Sequence, residues 1–312
     1  MLNVIGVTMI QVILKAFSFI FCMALAYSLK KAKILQESDS RVVSTIYINV
    51  ALPCAIITSF RNFTLDSSLF FFLLLPFISN GTMILIAWLT GRKRGNEETA
   101  YQIANYPNYN IGSFTLPFLQ SFMSPTCVVA ACLYDTPNAF FTLGGSYTMA
   151  CRFMPGSPKF TFLGFFKRIM SSITIKVYTI LLILTFLRIQ LPEFVFTLIA
   201  PAANANAFLS MFMLGLYLDF SFDKETLKKV FRTIGARIVV GTTLALLIAA
   251  LLPFSTELKQ TAALCLLAPF GSMNAVYTEK LGSDYKASAL TSSLAIVSSM
   301  IIFSTLLTIW NV

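Results

Sequence analysis

Long runs without charged residues recur along the chain and are separated by short polar connections. A helix that crosses a bilayer needs roughly 20 predominantly apolar residues, so the pattern predicts ten such helices. Their predicted bounds are residues 4–29, 42–60, 67–90, 99–122, 126–151, 169–187, 193–218, 229–252, 258–278 and 287–310. We refer to them as predicted helices 1 to 10.

Composition agrees with a membrane protein. Apolar residues make up 57% of the chain and charged residues 12%, against about 25% charged residues in ordinary soluble domains. The mean hydropathy is +0.78. A soluble core could not bury this many helices that are apolar on every side, so we predict an all-α, multi-pass protein of the cell membrane, with the lipid bilayer as its partner.

The charged and titratable residues exclude several classes of function. The net charge of +10 comes from basic residues in short loops and not from a folded basic face, which excludes nucleic acid as a partner. The chain has no histidine, so histidine metal sites and catalytic triads are excluded. The six cysteines form no C-x-x-C motif and lie mostly in apolar stretches, where we interpret them as packing residues.

Basic residues also predict the orientation of the chain. They follow predicted helices 1, 3, 5, 7 and 9 as Lys30, Lys31, Lys33, Arg41, Arg92, Lys93, Arg94, Arg152, Lys159, Lys167, Arg168, Lys224, Lys228, Lys229, Arg232, Lys280 and Lys286. The opposite connections carry only Arg61, Arg188 and Lys259. By the positive-inside rule the first set is cytoplasmic, and both termini lie outside.

The two halves of the chain resemble each other. Residues 1–151 and 169–312 each contain five predicted helices, and an odd number of spans requires the second copy to be inverted. The polar segments 62–66 and 219–223 close predicted helices 2 and 7. Predicted helices 4 and 9 each combine a proline with a Gly-Ser pair, Gly112-Ser113 in one and Gly271-Ser272 in the other. Interrupted helices at matching positions of two repeats point to a transporter's binding site.

Predicted helices 4 and 9 carry polar residues that are costly in hydrocarbon. Proline removes a backbone donor and frees a carbonyl, and such groups are tolerated at membrane depth only when buried in protein or lining a wet cavity. Inverted symmetry would bring both interruptions to one central point. The predicted substrate-binding residues there are Asn108, Asn110, Gly112, Pro117, Pro269, Gly271 and Asn274. The alternative is a pair of proline kinks with asparagines joining neighbouring helices.

Asp135 lies near the middle of predicted helix 5, where a carboxylate is usually functional. Asn138, one turn away, is its expected partner. Asp135 is interpreted as a proton-coupling acid, as a cation ligand, or as a structural acid that anchors the helix. Lys15 is expected to extend to the outer interface, and Arg61 is interpreted as an ordinary interfacial arginine.

Several motifs together resemble the auxin efflux carrier family. They are Asn49-x-x-x-Pro53, Asn110-x-Gly112-x-x-x-x-Pro117, Tyr134-Asp135-x-x-Asn138 and Ala268-Pro269 followed by Tyr277. The resemblance covers nearly the whole chain. It implies a ten-helix inverted-repeat fold similar to that of bile-acid sodium symporters, in which helices 4 and 9 cross at their prolines. Helices 1, 2, 6 and 7 would form a scaffold, and helices 3–5 and 8–10 a transport core.

The resemblance also implies a homodimer and a small organic anion as substrate, such as an auxin-like, malate-like or malonate-like acid. Asn49 and Tyr277 would join Asp135 and Asn138 as coupling or structural polar residues. We therefore predict a secondary transporter that works by alternating access and has no resident cofactor or metal. Either H⁺ or Na⁺ could couple, with sodium held at the helix 4/9 crossing; a sodium symporter of the bile-acid type is the alternative.

Two other classes fit the sequence poorly. An intramembrane enzyme would need histidine, paired membrane carboxylates or a Ser/Lys arrangement, none of which the sequence offers at matching depths. A channel would need rings of charge or carbonyl repeats, and this chain has lone asparagines instead.

Overall fold

A computed structural model describes residues 2–36, 38–61, 67–154, 164, 167, 171–220, 224–271 and 273–310. Within these residues every regular element is a helix. The helices are α1 (Leu2–Lys31), α2 (Asp39–Ser59), α3 (Ser67–Gly91), α4a (Asn96–Asn105), α4b (a π turn Ile111–Thr115 followed by Leu116–Phe122), α5 (Pro125–Phe140, a π turn Phe141–Gly145 and Ser146–Cys151), α6 (Ile173–Phe186), α7 (Glu193–Tyr217), α8 (Lys224–Leu251), α9a (Thr256–Leu266), α9b (Asn274–Lys280) and α10 (Tyr285–Trp310).

Five of the described helices are long and apolar enough to cross a membrane: Asp39–Ser59, Ser67–Gly91, Glu193–Tyr217, Thr226–Leu251 and Tyr285–Trp310. Their outward faces carry large apolar side chains, including Leu198 at 77% exposure and Leu251 at 72%. Such surfaces belong in lipid, because a soluble monomer rarely exposes contiguous apolar patches of this kind. The chain is therefore an all-helical, multi-pass membrane protein.

Predicted helices 4 and 9 are absent from this set because each is divided in two. Neither half of α4 or α9 reaches the length of a bilayer, and the connecting residues 106–110, 267–271 and Met273 are not helical. The interruptions predicted from proline, glycine and asparagine are thus present. Residues 62–66, 221–223 and Ser272, and most of the connection 155–170, lie outside the described residues.

Two helices begin earlier than the apolar pattern predicts. α4a starts at Asn96 instead of residue 99, and α8 starts at Lys224 instead of residue 229. Their first turns are charged, and Arg232 and Lys229 of α8 pair with Glu98 of α4a. An apolar run marks only the membrane-embedded part of a helix, so ion-paired turns at its end escape that signal.

The main helix contacts within the described residues are the following. α1 packs along the second half of α7, and α2 packs against the first half of α7 and against α6. α3 lies against α4a and α5, and α8 lies against α9a and α10. Gly215 explains how closely α1 approaches α7, because a Cβ atom there would overlap the carbonyl oxygen of Met23.

An aromatic cluster fixes the position of α4b, the half-helix that follows the interruption. Phe118 of α4b has edge-to-face contacts with Phe19 of α1 at 4.8 Å and Phe303 of α10 at 5.3 Å between ring centroids. Phe114 joins it at 5.2 Å from Phe303. Because buried aromatic pairs stabilise beyond their area, this half-helix has a defined position relative to α1 and α10.

Candidate functional site

The interruptions of α4 and α9 lie directly against each other. The amide of Asn110 donates to the carbonyl of Pro269 at 2.9 Å, and the amide of Gly271 donates to the carbonyl of Asn108 at 2.9 Å. Tyr109 and Phe270 thereby form an isolated antiparallel bridge. Each non-helical segment satisfies backbone groups of the other, as irregular backbone at membrane depth requires. We call this pair of segments the crossing.

Asn108 and Asn274 join the two segments through their side chains. Asn108 Nδ2 donates to Asn274 Oδ1 at 2.8 Å, and Asn274 Nδ2 donates to the carbonyl of Asn105 at 3.2 Å. The hydroxyl of Ser146 donates to Asn108 Oδ1 at 3.0 Å. Asn108 is fully buried and adopts the left-handed conformation, with φ of 75°, which asparagine tolerates better than most residues.

Asn138 and Asn80 hold the same segment from the other side. Asn138 Nδ2 donates to the carbonyl of Tyr109 at 2.7 Å, and Asn80 Oδ1 accepts from the amide of Asn108 at 2.8 Å. The two asparagines are also in contact, with Asn80 Nδ2 3.3 Å from Asn138 Oδ1. Asn80 was not predicted as a site residue, although a buried asparagine four residues after Pro76 in an apolar run was a usable signal.

Arg237 of α8 was also missed, and it lies at the centre of the crossing. It is 3% exposed, and its guanidinium carbon is 3.7 Å from the ring centroid of Tyr109 and 4.2 Å from that of Phe270. Its Nη2 donates to the carbonyl of Tyr106 at 2.7 Å and to that of Pro107 at 3.1 Å. The carbonyls freed by the interruption of α4 are therefore occupied by an arginine.

A cavity of about 180 Å³ opens beside the crossing. It lies between α2 and α6 on one side and α4b, α5 and the α9 interruption on the other. Its lining includes five predicted residues, namely Asn110, Gly112, Asp135, Gly271 and Asn274. The remaining predicted residues, Asn49, Asn108, Pro117, Asn138, Pro269 and Tyr277, are not part of this lining.

Those six residues have other surroundings. Asn108 and Asn138 are held in the crossing, where the Pro269 carbonyl accepts from Asn110. Pro117 is buried in the first turn of Leu116–Phe122. Tyr277 stacks on Tyr147 at 5.1 Å. Asn49 is exposed on α2, where its Nδ2 donates to the carbonyl of Thr45 at 2.8 Å.

Asn110 lines the cavity and has a donor without a partner. Its Oδ1 accepts from the amide of Ser113 at 3.3 Å and so caps the start of α4b. Its Nδ2 is buried and has no hydrogen-bond partner within the described part of the chain. A buried amide without a partner is costly, so this N–H group is suited to an acceptor that enters the cavity.

Asp135 lines the same cavity. As predicted, Asn138 Nδ2 donates to its Oδ1, at 3.1 Å, and Tyr178 of α6 donates to Oδ2 at 3.3 Å. A Cβ atom added at Gly112 would lie 3.3 Å from Asp135 Oδ2, so glycine lets the carboxylate approach the backbone of α4b. Among the described residues no group of three cysteine, aspartate or glutamate side chains is placed to hold a metal ion.

Hydroxyl and amide groups of α2, α6 and α7 also form hydrogen bonds with α4b and α5. Tyr47 donates to the Gly112 carbonyl at 2.6 Å, and Ser210 donates to the Ser113 carbonyl. Farther along α4b, Asn206 Nδ2 donates to Gln120 Oε1 at 2.7 Å. None of these contacts was predicted, because a hydroxyl on an apolar helix has no sequence signal for the partner it will find.

Two other charged residues discussed above, Lys15 and Arg61, have partners away from the cavity. Lys15 of α1 donates to the carbonyl of Ser121, and its ammonium lies 5.2 Å from the ring centroid of Phe122. Arg61 pairs with Glu193 and lies over the Phe196 ring at 5.4 Å. Both side chains are thus engaged at the periphery and not in the cavity.

Comparison with known proteins identifies the class. Residues 11–157 match a family model, Mem_trans, described as membrane transport protein. No curated protein matches the chain. The match includes the α4 interruption, Asn110 and Asp135, and it confirms the transporter family predicted from the motifs over that part of the chain. The matched family is one of membrane transport proteins, and the match indicates a membrane transporter.

Proposed function

We propose that the protein is a secondary carrier of a small organic anion, a carboxylate, which binds in the cavity beside the crossing. The observation that carries the proposal is the buried, unpartnered Nδ2 of Asn110, a residue that lines this cavity at the start of α4b. A carboxylate oxygen would accept from that amide. The positive end of the α4b helix dipole favours the same charge.

The size of the cavity supports a small acid. Its volume of about 180 Å³ is below the range of about 300–1,000 Å³ typical of pockets for drug-sized molecules. Acids of malate or malonate size suit it better than a bulky bile acid. An auxin-like acid would require the cavity to widen.

Alternating access is proposed to occur between a scaffold of helices 1, 2, 6 and 7 and a transport core of helices 3–5 and 8–10. The cavity lies between α2 and α6 on one side and α4b, α5 and α9 on the other. Displacement of the proposed core along the proposed scaffold would open the cavity to either face. The ten-span inverted arrangement of residues 1–151 and 169–312 belongs to the same proposal.

Coupling to a proton is proposed to run through Asp135. An anionic substrate beside Gly112 would be repelled by a carboxylate that faces the same cavity, and like charges within a few ångströms disfavour the charged form. Protonation of Asp135 would remove that repulsion, so the anion and the proton would move together. The second candidate is sodium coupling of the bile-acid type, favoured by the anionic oxygens that Asp135 presents to the cavity.

Orientation and assembly complete the proposal. The alternation of basic loops favours a cell membrane protein with both termini outside, and the family resemblance favours a homodimer. Labelling of a single cysteine introduced next to either end with a membrane-impermeant reagent tests the first. Cross-linking in intact membranes tests the second.

The deciding experiment is counterflow in proteoliposomes with radiolabelled malonate, malate and indole-3-acetate. Wild type should exchange at least one of them. In Asn110→Ala the half-saturating concentration should rise by roughly 10–100-fold, because a hydrogen bond to a charged group contributes about 1.5–3 kcal/mol. Gln190→Ala is the control, since this exposed amide lies in the connection between α6 and α7.

The outcomes separate the parts of the proposal. If no acid exchanges under any pH or sodium gradient, the carrier of organic anions is refuted. If exchange occurs but Asn110→Ala behaves like Gln190→Ala, the cavity beside the crossing is not the binding site.

A further inference from the structure

Arg237 is a buried cation without an acidic partner among the described residues. The ion pairs found there are Arg61 with Glu193, Lys229 with Glu98 and Asp284, and Arg232 with Glu98. Charged side chains inside a membrane protein usually face a pathway or pair with one another or with backbone carbonyls. Arg237 follows the last pattern, so its positive charge is solvated by dipoles and is not neutralised.

The carbonyls that solvate it come from both interrupted helices. Besides the Tyr106 and Pro107 carbonyls, Nη2 lies 3.4 Å from that of Asn108, and Nη1 lies 3.4 Å from that of Ala268. These are the carbonyls next to Pro107 and Pro269. A cluster of oxygens of this kind is what a bare sodium ion would need, and here the guanidinium already fills it.

The charge also lies close to the cavity. The ring of Tyr109 packs on the guanidinium at 3.7 Å, and Tyr109 is itself one of the residues that line the cavity. A single residue therefore contacts both the positive charge and the space that Asn110 lines. In a medium of low dielectric constant, charges interact strongly over such a short separation.

We propose that Arg237 is the fixed cation of this transporter: it occupies the place of a sodium ion at the crossing and selects an anion for the cavity. This inference rests on the proposed function and adds to it a driving-ion class and a specificity-determining residue. It follows that sodium is not bound by the crossing carbonyls. With Asp135 protonated, one carboxylate of the bound acid balances the charge of Arg237.

Two substitutions separate the charge from the hydrogen bonds. Arg237→Lys keeps the charge but loses the planar fork. Arg237→Gln keeps an amide that can donate to the carbonyls but removes the charge. In counterflow with malonate, malate and indole-3-acetate, Arg237→Gln should raise the half-saturating concentration at least 10-fold, whereas Arg237→Lys should stay within about threefold of wild type.

A neutral analogue tests the charge directly. Malonamide should compete poorly with malonate in wild type and in Arg237→Lys, but the two compounds should compete about equally in Arg237→Gln. If Arg237 only supported the fold, both substitutions would change the binding of both compounds to the same extent. That result would overturn the proposal. Size-exclusion profiles and thermal unfolding of each variant show whether the comparison is made on folded protein.

The inference that sodium is not bound at the crossing can be tested on wild type alone. Exchange by wild type should be the same in sodium and in choline buffers, and sodium should not shift its unfolding temperature. A sodium requirement in wild type overturns the inference while leaving the anion carrier intact. Failure of wild type to exchange any acid refutes the proposed function itself, so the two failures are distinguishable even if Arg237→Gln does not fold.

Discussion

Asn108 offers a test of how the interruption of α4 is stabilised. Its side chain makes three hydrogen bonds, with Asn274 Oδ1 at 2.8 Å, the Ala104 carbonyl at 3.2 Å and the Ser146 hydroxyl at 3.0 Å. Its backbone is left-handed, with φ of 75°. Substitution by glycine removes the side-chain bonds but suits the backbone. Substitution by alanine removes the bonds and strains the backbone as well.

The two effects have different sizes. Hydrogen bonds between helices in membranes contribute about 0.6 kcal/mol each, so Asn108→Gly should lose about 2 kcal/mol of unfolding free energy. A left-handed alanine costs roughly 1–2 kcal/mol more, so Asn108→Ala should lose about 3–4 kcal/mol. The backbone contribution is the difference between the two variants.

Thermal and denaturant unfolding in detergent, followed by circular dichroism, measures both losses. If Asn108→Ala is as stable as Asn108→Gly or more stable, the left-handed conformation is not imposed on this residue. Counterflow of the folded glycine variant adds a second reading. Because Asn108 does not line the cavity, the half-saturating substrate concentration of the glycine variant should stay within a fewfold of wild type. A 10-fold rise would restore the sequence-based prediction that Asn108 contacts substrate.

Two further substitutions test the coupling and the packing. Asp135→Asn should retain counterflow but lose acceleration by an inward pH gradient, because the amide cannot carry a proton; acceleration equal to wild type would exclude Asp135 as the proton carrier. Gly215→Ala should lower the unfolding free energy by about 1–3 kcal/mol, since the added methyl overlaps the Met23 carbonyl oxygen and overpacking costs this much. Gly81→Ala is its control, because a Cβ atom there meets nothing within 4 Å. This change in mid-helix should leave the unfolding free energy unchanged or raise it. Equal losses of unfolding free energy in both variants would contradict the close approach of α1 and α7.

The helices and their interruptions could be predicted because both depend on local chemistry. Apolar length defines a span, and proline with asparagine in such a run marks where it breaks. The contact between Asp135 and Asn138 was predictable for the same reason, since the two residues are one helical turn apart. Asn110, Gly112, Gly271 and Asn274 line the cavity because they flank the interruptions; their role in binding a substrate stays a prediction.

The contacts that were missed depend on which way a helix faces. Tyr47, Tyr178 and Ser210 look like ordinary residues of apolar helices, and their partners are 43 or more positions away in the chain. Arg237 lay inside predicted helix 8, only a few residues after the basic group at its start, and was not distinguished from it. Its direction toward the crossing follows from packing of α8 and has no periodic signal in the sequence.

The Tyr109–Phe270 bridge has a mechanical consequence. Two backbone bonds, the side chains of Asn108 and Asn274 and one guanidinium join the broken segments, so the crossing is stiff and cannot flex without exposing several polar groups to lipid. The more flexible contact is then the one between α4b and the helices α2 and α7. Tyr47 and Ser210 each donate one hydrogen bond there to a carbonyl of α4b, and single hydroxyl bonds can be exchanged for water one at a time. We call this contact the seam. Amide hydrogen exchange should accordingly be slowest at Asn110 and Gly271 and unaffected by substrate there, while substrate-dependent protection concentrates along that seam.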